Sequence, residues 1–251
     1  MRTVRKKSKT AAKKELKRNI LIAIVIVLFS VANYYLDIDY TPGLFDSGSI
    51  FQDNDYEQIA LDEIPEYSGE PYVVINSNDP DFSEEELDSD CYEYYSDLDY
   101  LGRCGYTEAM LGTEMMPTED RESISEVKPT GWKNVSYDFV DGEWLYNRCH
   151  LIGFQLTGEN ANAENLITGT RYMNVEGMLP FENMIADYIR ETDHQVMYRV
   201  TPIYEDDNLL ASGVLMEAES VEDNEICFCV YVYNVQPGVE IDYATGANWE
   251  E

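Results

Sequence analysis

Residues Tyr146 to Glu182 read YNRCHLIGFQLTGENANAENLITGTRYMNVEGMLPFE, and they gather Arg148, His150, Asn165, Arg171, Asn174 and Glu182 within 37 residues. No other stretch concentrates so many side chains able to hold a metal and a phosphate. A histidine takes a proton from water near neutral pH, an arginine neutralises a phosphate, and Asn174 and Glu182 offer oxygen atoms to a hard cation such as Mg²⁺. Together these parts suffice for metal-assisted phosphodiester hydrolysis.

The sequence on either side supplies the scaffold. Downstream, Phe181, Met184, Ile185, Tyr188 and Ile189 recur at helical spacing, with Pro180 suited to the first turn, so an amphipathic helix is expected there. Strands are expected at Gln195 to Tyr204, Leu209 to Glu217 and Ile226 to Val235, with Asp206-Asp207-Asn208 as a hairpin loop. Upstream, Tyr72-Val73-Val74-Ile75 reads as a strand, and Ser83 with Glu86 fits a capping box that starts a short helix. Asp88 to Tyr100 reads as a structured loop packed on the domain. Asn134 to Val140 reads as a strand that meets Trp144 across an Asp141-Gly142 hairpin turn. Strands, a helix-bearing centre, then strands again predict an α+β domain on a largely antiparallel sheet.

Length and charge set the organisation. The 251 residues allow one good-sized domain plus appendages, and 44% are hydrophobic. The formal charge is −32, yet nine of the 17 basic residues fall in residues 1–19, which leaves eight against 48 acidic ones in the remainder. Such a surface repels polyanions at long range and attracts divalent cations, and it also keeps an exported protein soluble.

After the basic leader, an apolar run from Ile20 to Ala32 continues through Asn33-Tyr34-Tyr35 to Leu36. That length reaches the short end of a membrane span, and the cations on its N-terminal side place that end in the cytoplasm. The expected organisation is a leader at 1–19, a transmembrane signal anchor at 20–36, an acidic tether at 37–66 and a catalytic domain at 67–251. The domain would then stand outside the cell membrane on a single-pass anchor. The competing reading takes Ser30-Val31-Ala32 as a signal-peptide cleavage site, which releases the domain.

Five cysteines, at 91, 104, 149, 227 and 229, form no CxxC pair and so no zinc-site spacing. An exported domain permits disulfides, and a Cys104–Cys149 bridge is a guess of this kind. Cys149 beside His150 also invites a Cys-His nucleophile reading, but sequence neighbours on a regular element project in different directions. His194 reads as an exposed loop residue.

The stretch Asn147-Arg148-Cys149-His150 resembles the Asp-Arg-Gly-His motif of the DNA/RNA non-specific endonucleases, among them the membrane-anchored DNA-entry nucleases. Asn165, Asn174 nine residues on and Glu182 eight residues beyond that match the family's downstream spacing. The resemblance implies a ββα-metal nuclease core. It implies His150 as the general base, Asn174 as the protein ligand of a largely hydrated Mg²⁺ (or Mn²⁺), Arg148 on the phosphate or transition state and Glu182 holding metal-bound water. It places Asn165, Arg171 and the upstream Arg121 on the substrate side, with Asn165 bracing the site. DNA is the implied substrate, RNA a further one, and the products carry 5′-phosphates.

Two departures stand out. Asn147 replaces the motif's Asp and Cys149 its Gly. With eight cations in the exported region, the substrate requires a local basic cleft, for which Arg103, Arg121, Lys128, Lys133, Arg148 and Arg171 are the candidates. A weakly active or inactive nuclease-fold module that binds nucleic acid at the surface is the alternative reading, and an acidic scaffold domain a third.

Overall fold

The computed structural model describes residues 64–251; the basic leader, the expected membrane anchor and nearly all of the tether lie outside the described residues. Among the described residues no helix is long and apolar enough to cross a membrane. The strands are β1 (Tyr72–Val74), β2 (Tyr92–Tyr95), β3 (Thr107–Leu111), β4 (Tyr146–His150), β5 (Leu166–Thr170), β6 (Val196–Ile203), β7 (Gly213–Ser220), β8 (Cys227–Tyr233), β9 (Val239–Asp242) and β10 (Ala247–Glu250). The α-helices are α1 (Glu84–Leu87), α2 (Phe154–Thr157) and α3 (Leu179–Thr192).

Six strands form an antiparallel sheet in the order β1-β8-β7-β6-β3-β2. Its centre is buried on both faces. Alternate residues Tyr198, Val200, Val214, Met216, Phe228 and Val230 meet Phe181, Ile185, Ala186 and Ile189 of α3 in the main apolar core. The opposite face carries Arg199, whose guanidinium pairs with Glu86 and with Glu108 at 3.1 Å and stacks over the Phe82 ring.

The expected helix therefore exists, although its buried face uses Ala186, whereas Met184 is exposed. It is preceded by a wider π-helical turn, Met173–Met178. Gly177 permits this turn to lie directly on β8: a Cβ there would stand 2.3 Å from Val232 Cγ1. The capping box at Ser83 and Glu86 forms in both directions.

Several expectations are corrected. Within Asp88 to Tyr100, Tyr92–Tyr95 is an edge strand, because β3 offers it an open ladder and Glu108 accepts from Tyr92 Oη at 3.0 Å. The segment Asn134 to Val140 does meet Trp144 across the turn, but as the single bridge Ser136–Trp144, flanked by Tyr137 N donating to Glu143 O and Leu145 N to Val135 O, and not as a full strand. Past Tyr137 the chain turns: Val140 N donates to Tyr137 O and Glu143 N to Val140 O, with Gly142 at φ +71° and Glu143 at φ +67°. The strand expected from Leu209 begins at Gly213, since Leu210 is drawn into a separate apolar cluster with Leu145, Tyr146 and Val239. All five cysteines are free thiols, so the Cys104–Cys149 bridge does not form.

Strands β4 and β5 stand apart as a two-stranded hairpin, in register Tyr146–Thr170, Arg148–Thr168 and His150–Leu166. With α3 behind it, this hairpin makes the ββα unit on which the candidate site is built.

Candidate active site

A strand alternates its side chains. Along β4, Arg148 and His150 therefore share one face of the hairpin. Cys149 points the other way into the apolar core, where it has no exposed surface and burial pushes its thiol well above the ordinary value. A buried neutral thiol on the wrong face ends the Cys-His nucleophile reading.

His150 is 5% exposed and both ring nitrogens are engaged. Nε2 lies 2.9 Å from the Asn160 carbonyl, and Nδ1 lies 3.3 Å from Arg121 Nη2. A carbonyl only accepts and a guanidinium only donates, so the proton must sit on Nε2 and the lone pair on Nδ1. Burial holds the imidazole below its usual 6.5, with the Arg121 charge acting in the same direction against the carbonyl contacts. The ring is thus a neutral base whose free electron pair is on Nδ1.

Arg121 comes from a loop 29 residues upstream and passes over the Phe154 ring at 5.9 Å. Arg148 is held by the same loop: Nε donates to Val127 O and Nη2 to Ser125 O at 3.0 Å, while the guanidinium lies 4.2 Å above the Trp132 ring. Arg171 pairs with Asp141 at 2.8 Å.

These three arginines, His150, Asn174 and Glu182 line a single cleft of about 660 Å³. Asn147 and the aromatic Trp132, Trp144 and Tyr146 also border it. The other expected cations go elsewhere. Arg103 is tied to Asp99 at 2.7 Å and to the carbonyls of Asp206 and Asn208, and Lys128 and Lys133 are exposed outside the lining.

Asn174 belongs to the π-helical turn, a distortion that re-aims side chains at functional sites. Glu182, in the first turn of α3, is 7% exposed; Gln155 Nε2 donates to its Oε2 at 2.9 Å. Burial pushes this carboxyl up to about 7, against the Gln155 hydrogen bond and the Arg121 charge.

Asn165, expected on the substrate side, has no exposed surface. Its Oδ1 accepts from Ile152 N at 2.9 Å and its Nδ2 donates to Ile152 O at 3.0 Å. It fixes the backbone just after His150 and has no polar atom left to meet a substrate. His194 bonds Tyr188 Oη at 2.9 Å and pairs with Asp223 outside the cleft lining.

Sequence reasoning missed Gln155, Asn160 and Gly153. Asn160 acts through a backbone carbonyl, which no residue type announces. Gly153 has ordinary extended dihedrals, but a Cβ there would come within 2.8 Å of Glu182 Cδ and Oε1, so its bareness makes room for the carboxylate. A glycine inside the apolar run Leu151 to Phe154 was the available signal.

Among the described residues no group of three or more His, Cys, Asp or Glu is placed to hold a metal ion. The cleft offers instead an amide oxygen from Asn174 and a carboxylate from Glu182, both hard donors. That set fits a hard cation that keeps most of its ligands as water, as Mg²⁺ does, and not a closed nitrogen-sulfur site.

Known proteins resemble this chain in sequence and fold. A family model described as DNA/RNA non-specific endonuclease matches residues 84–222. A deoxyribonuclease of Streptococcus dysgalactiae subsp. equisimilis is 35% identical over an alignment of 146 residues; the match covers 51% of this chain and 44% of that protein, less than half of the relative's length. The solved NucA from Streptococcus agalactiae with a magnesium ion bound superposes with a TM-score of 0.62 at 25% identity, covering 69% of this chain and 84% of that one. The Sda1 nuclease with a bound zinc ion gives 0.60 at 26% identity, covering 72% and 97%.

Proposed function

This chain belongs to the DNA/RNA non-specific endonuclease family, and from that premise we propose that it is a divalent-metal-dependent endonuclease. It hydrolyses phosphodiester bonds of DNA, and of RNA by the same chemistry, leaving 5′-phosphates. The observation that carries the reading is the fixed tautomer of His150. Nε2–H is committed to the Asn160 carbonyl, so Nδ1 presents its lone pair inside a cleft that also contains three arginines and two hard oxygen donors.

His150 Nδ1 takes a proton from the attacking water as oxygen bonds to phosphorus and the P–O3′ bond breaks. Arg121 covers that lone pair at rest. An entering phosphate is the stronger partner for a guanidinium, so substrate draws Arg121 away and exposes the base. Arg148, stacked on Trp132, meets the phosphate from the same face. Asn174 would hold the metal and Glu182 its bound water, with Gln155 fixing the carboxylate's angle. Bound there, Mg²⁺ or Mn²⁺ supplies Lewis-acid polarisation of the phosphate and offsets the charge developing on the leaving oxygen. Asn165 positions His150 through the Ile152 backbone.

Setting follows from the N-terminal sequence. A basic leader followed by an apolar run supports a domain exported on a membrane anchor, or secreted, and acting on nucleic acid outside the cell. Protease treatment of intact cells that leaves the domain untouched would refute it.

One observation favours the weaker alternative of a binding module: two donors of Arg148 are already spent on backbone carbonyls, and Asn147 lacks the motif's carboxylate. Plasmid digestion by the purified protein, with and without Mg²⁺ and beside His150→Ala, separates the two. Metal-dependent cutting abolished in the variant supports the enzyme. Equal absence of cutting in both proteins supports the binding module.

A further inference from the structure

Beyond residue 19 the chain has eight cations, and five of them do not line the cleft, Lys128 and Lys133 among them. Arg199 is buried among carboxylates, Arg190 pairs with Asp187, and Arg103 with Asp99. At the cleft there remain Arg121, Arg148 and Arg171, and Arg171 shares its charge with Asp141 at 2.8 Å. Affinity that rests on phosphates scales with the number neutralised. Three arginines on a strongly acidic body hold a polyanion weakly, so another class of contact must contribute.

The cleft contains one. Trp144 lines it and is 55% exposed. The neighbouring aromatics are already used: Trp132 lies under Arg148 at 4.2 Å, and Phe154 under Arg121 at 5.9 Å. The backbone that presents Trp144 is fixed on both sides. Glu143 N donates to Val140 O at 2.8 Å, Leu145 N to Val135 O at 3.0 Å, and Asp141 at the head of the turn grips Arg171. An exposed indole on a hydrogen-bonded turn, beside Arg171 in the same cleft, is a preformed stacking surface.

We propose that Trp144 stacks on an unpaired nucleobase while the cleft arginines bind the adjacent phosphates, so that the preferred substrate is single-stranded nucleic acid. In a duplex both faces of each base are covered by its neighbours, and only an unpaired base can offer a face to the indole. Stacking tolerates any base, as a sequence-indifferent enzyme requires. Electrostatics act in the same direction, because a single strand carries less charge per length than a duplex and is repelled less by the acidic body.

This inference rests on the endonuclease reading and fails separately from it. The test uses the full chain in EDTA, where no metal-dependent cutting occurs, with fluorescence anisotropy of a labelled oligothymidylate and of a blunt duplex of equal length. Wild type is expected to bind the single strand more tightly, with a log–log salt slope of about −2 for three phosphate contacts. Trp144→Ala is expected to lower the single-strand to duplex affinity ratio by about tenfold. Trp144→Phe keeps most of it; Trp144→Leu, which retains bulk without a π-face, loses it. A ratio unchanged in Trp144→Ala and Trp144→Leu, or tighter duplex binding by wild type, overturns the proposal. If the ratio falls while no variant and no wild type cuts in Mg²⁺, stacking stands and the endonuclease reading fails alone.

Discussion

Arg121 Nη2 donates to His150 Nδ1 across 3.3 Å, although 29 residues separate the two in the chain. The contact does two things at once: it discourages protonation of the imidazole, and it covers the electron pair that the proposed mechanism uses.

The first consequence is a pH profile. The folded imidazole is held below 6.5 by burial and then by Arg121, so the neutral base persists to lower pH than a free histidine. The stability this contributes is present above pH 6.5 and is lost as pH falls through the depressed folded value. At saturating Mg²⁺, which keeps Glu182 ionised, kcat/KM is expected to keep its plateau below pH 6.5 and then fall about tenfold per pH unit. An acid limb with its midpoint above 6.5 would refute the assignment.

Arg121→Ala removes the positive neighbour, so imidazolium becomes easier to form and the acid limb moves to higher pH. Loss of a charged contact to phosphate lowers kcat/KM by about 10- to 100-fold. The alternative, a purely structural arginine, predicts a change in melting temperature with the limb unmoved; pH profiles of both proteins decide.

Glu182 gives the opposite sign. In the metal-free protein its carboxyl is raised from 4.5 to about 7 by burial. The contribution of that preference for the neutral form is complete below pH 4.5 and disappears as pH rises through 7. Glu182→Gln stays neutral, so in EDTA it is expected to match wild type at pH 4.5 and exceed it by roughly 3 kcal/mol at pH 8. Denaturant melts at the two pH values that show no divergence would exclude an uncompensated carboxylate.

Gly153→Ala inserts a methyl group 2.8 Å from Glu182 Cδ and Oε1. With Glu182 nearly buried, the carboxylate must turn off its present angle. The Mg²⁺ concentration for half-maximal cutting is expected to rise about tenfold, read from metal titrations. An unaltered titration would show that Glu182 does not serve the metal.

Asn165→Ala leaves the buried N–H and C=O of Ile152 without partners. A loss of roughly 2 to 4 kcal/mol in unfolding free energy is expected, with the cutting rate reduced because the backbone after His150 loosens. Near-wild-type stability in urea melts would place the bracing elsewhere.

How much of this was legible beforehand depends on the range of the interaction. The spacing of Phe181, Ile185 and Ile189, the Ser83–Glu86 box and the β-branched runs of β6 and β8 are local patterns, and they declare helix, cap and strand directly. β3 escaped notice because Thr-Glu-Ala-Met-Leu has little intrinsic strand character; it is a strand because β2 and β6 pair with it on either side. Asn134 to Val140 pairs with Trp144 as its pattern declared, but for one bridge only, because the Val140 amide is claimed by a turn to Tyr137 O.

By itself, the sequence determined which residues could do chemistry: Arg148, His150, Asn174 and Glu182 at their spacings, and an antiparallel α+β frame to hold them. Tertiary structure alone decided what surrounds each one. Whether His150 is a base at Nδ1 depends on a carbonyl at Asn160 and a guanidinium at Arg121, and whether Asn165 touches substrate depends on the Ile152 backbone. Side-chain chemistry is written in residue type. Tautomer, protonation and access are set by what folding brings within about 3 Å, where hydrogen-bond direction and desolvation act.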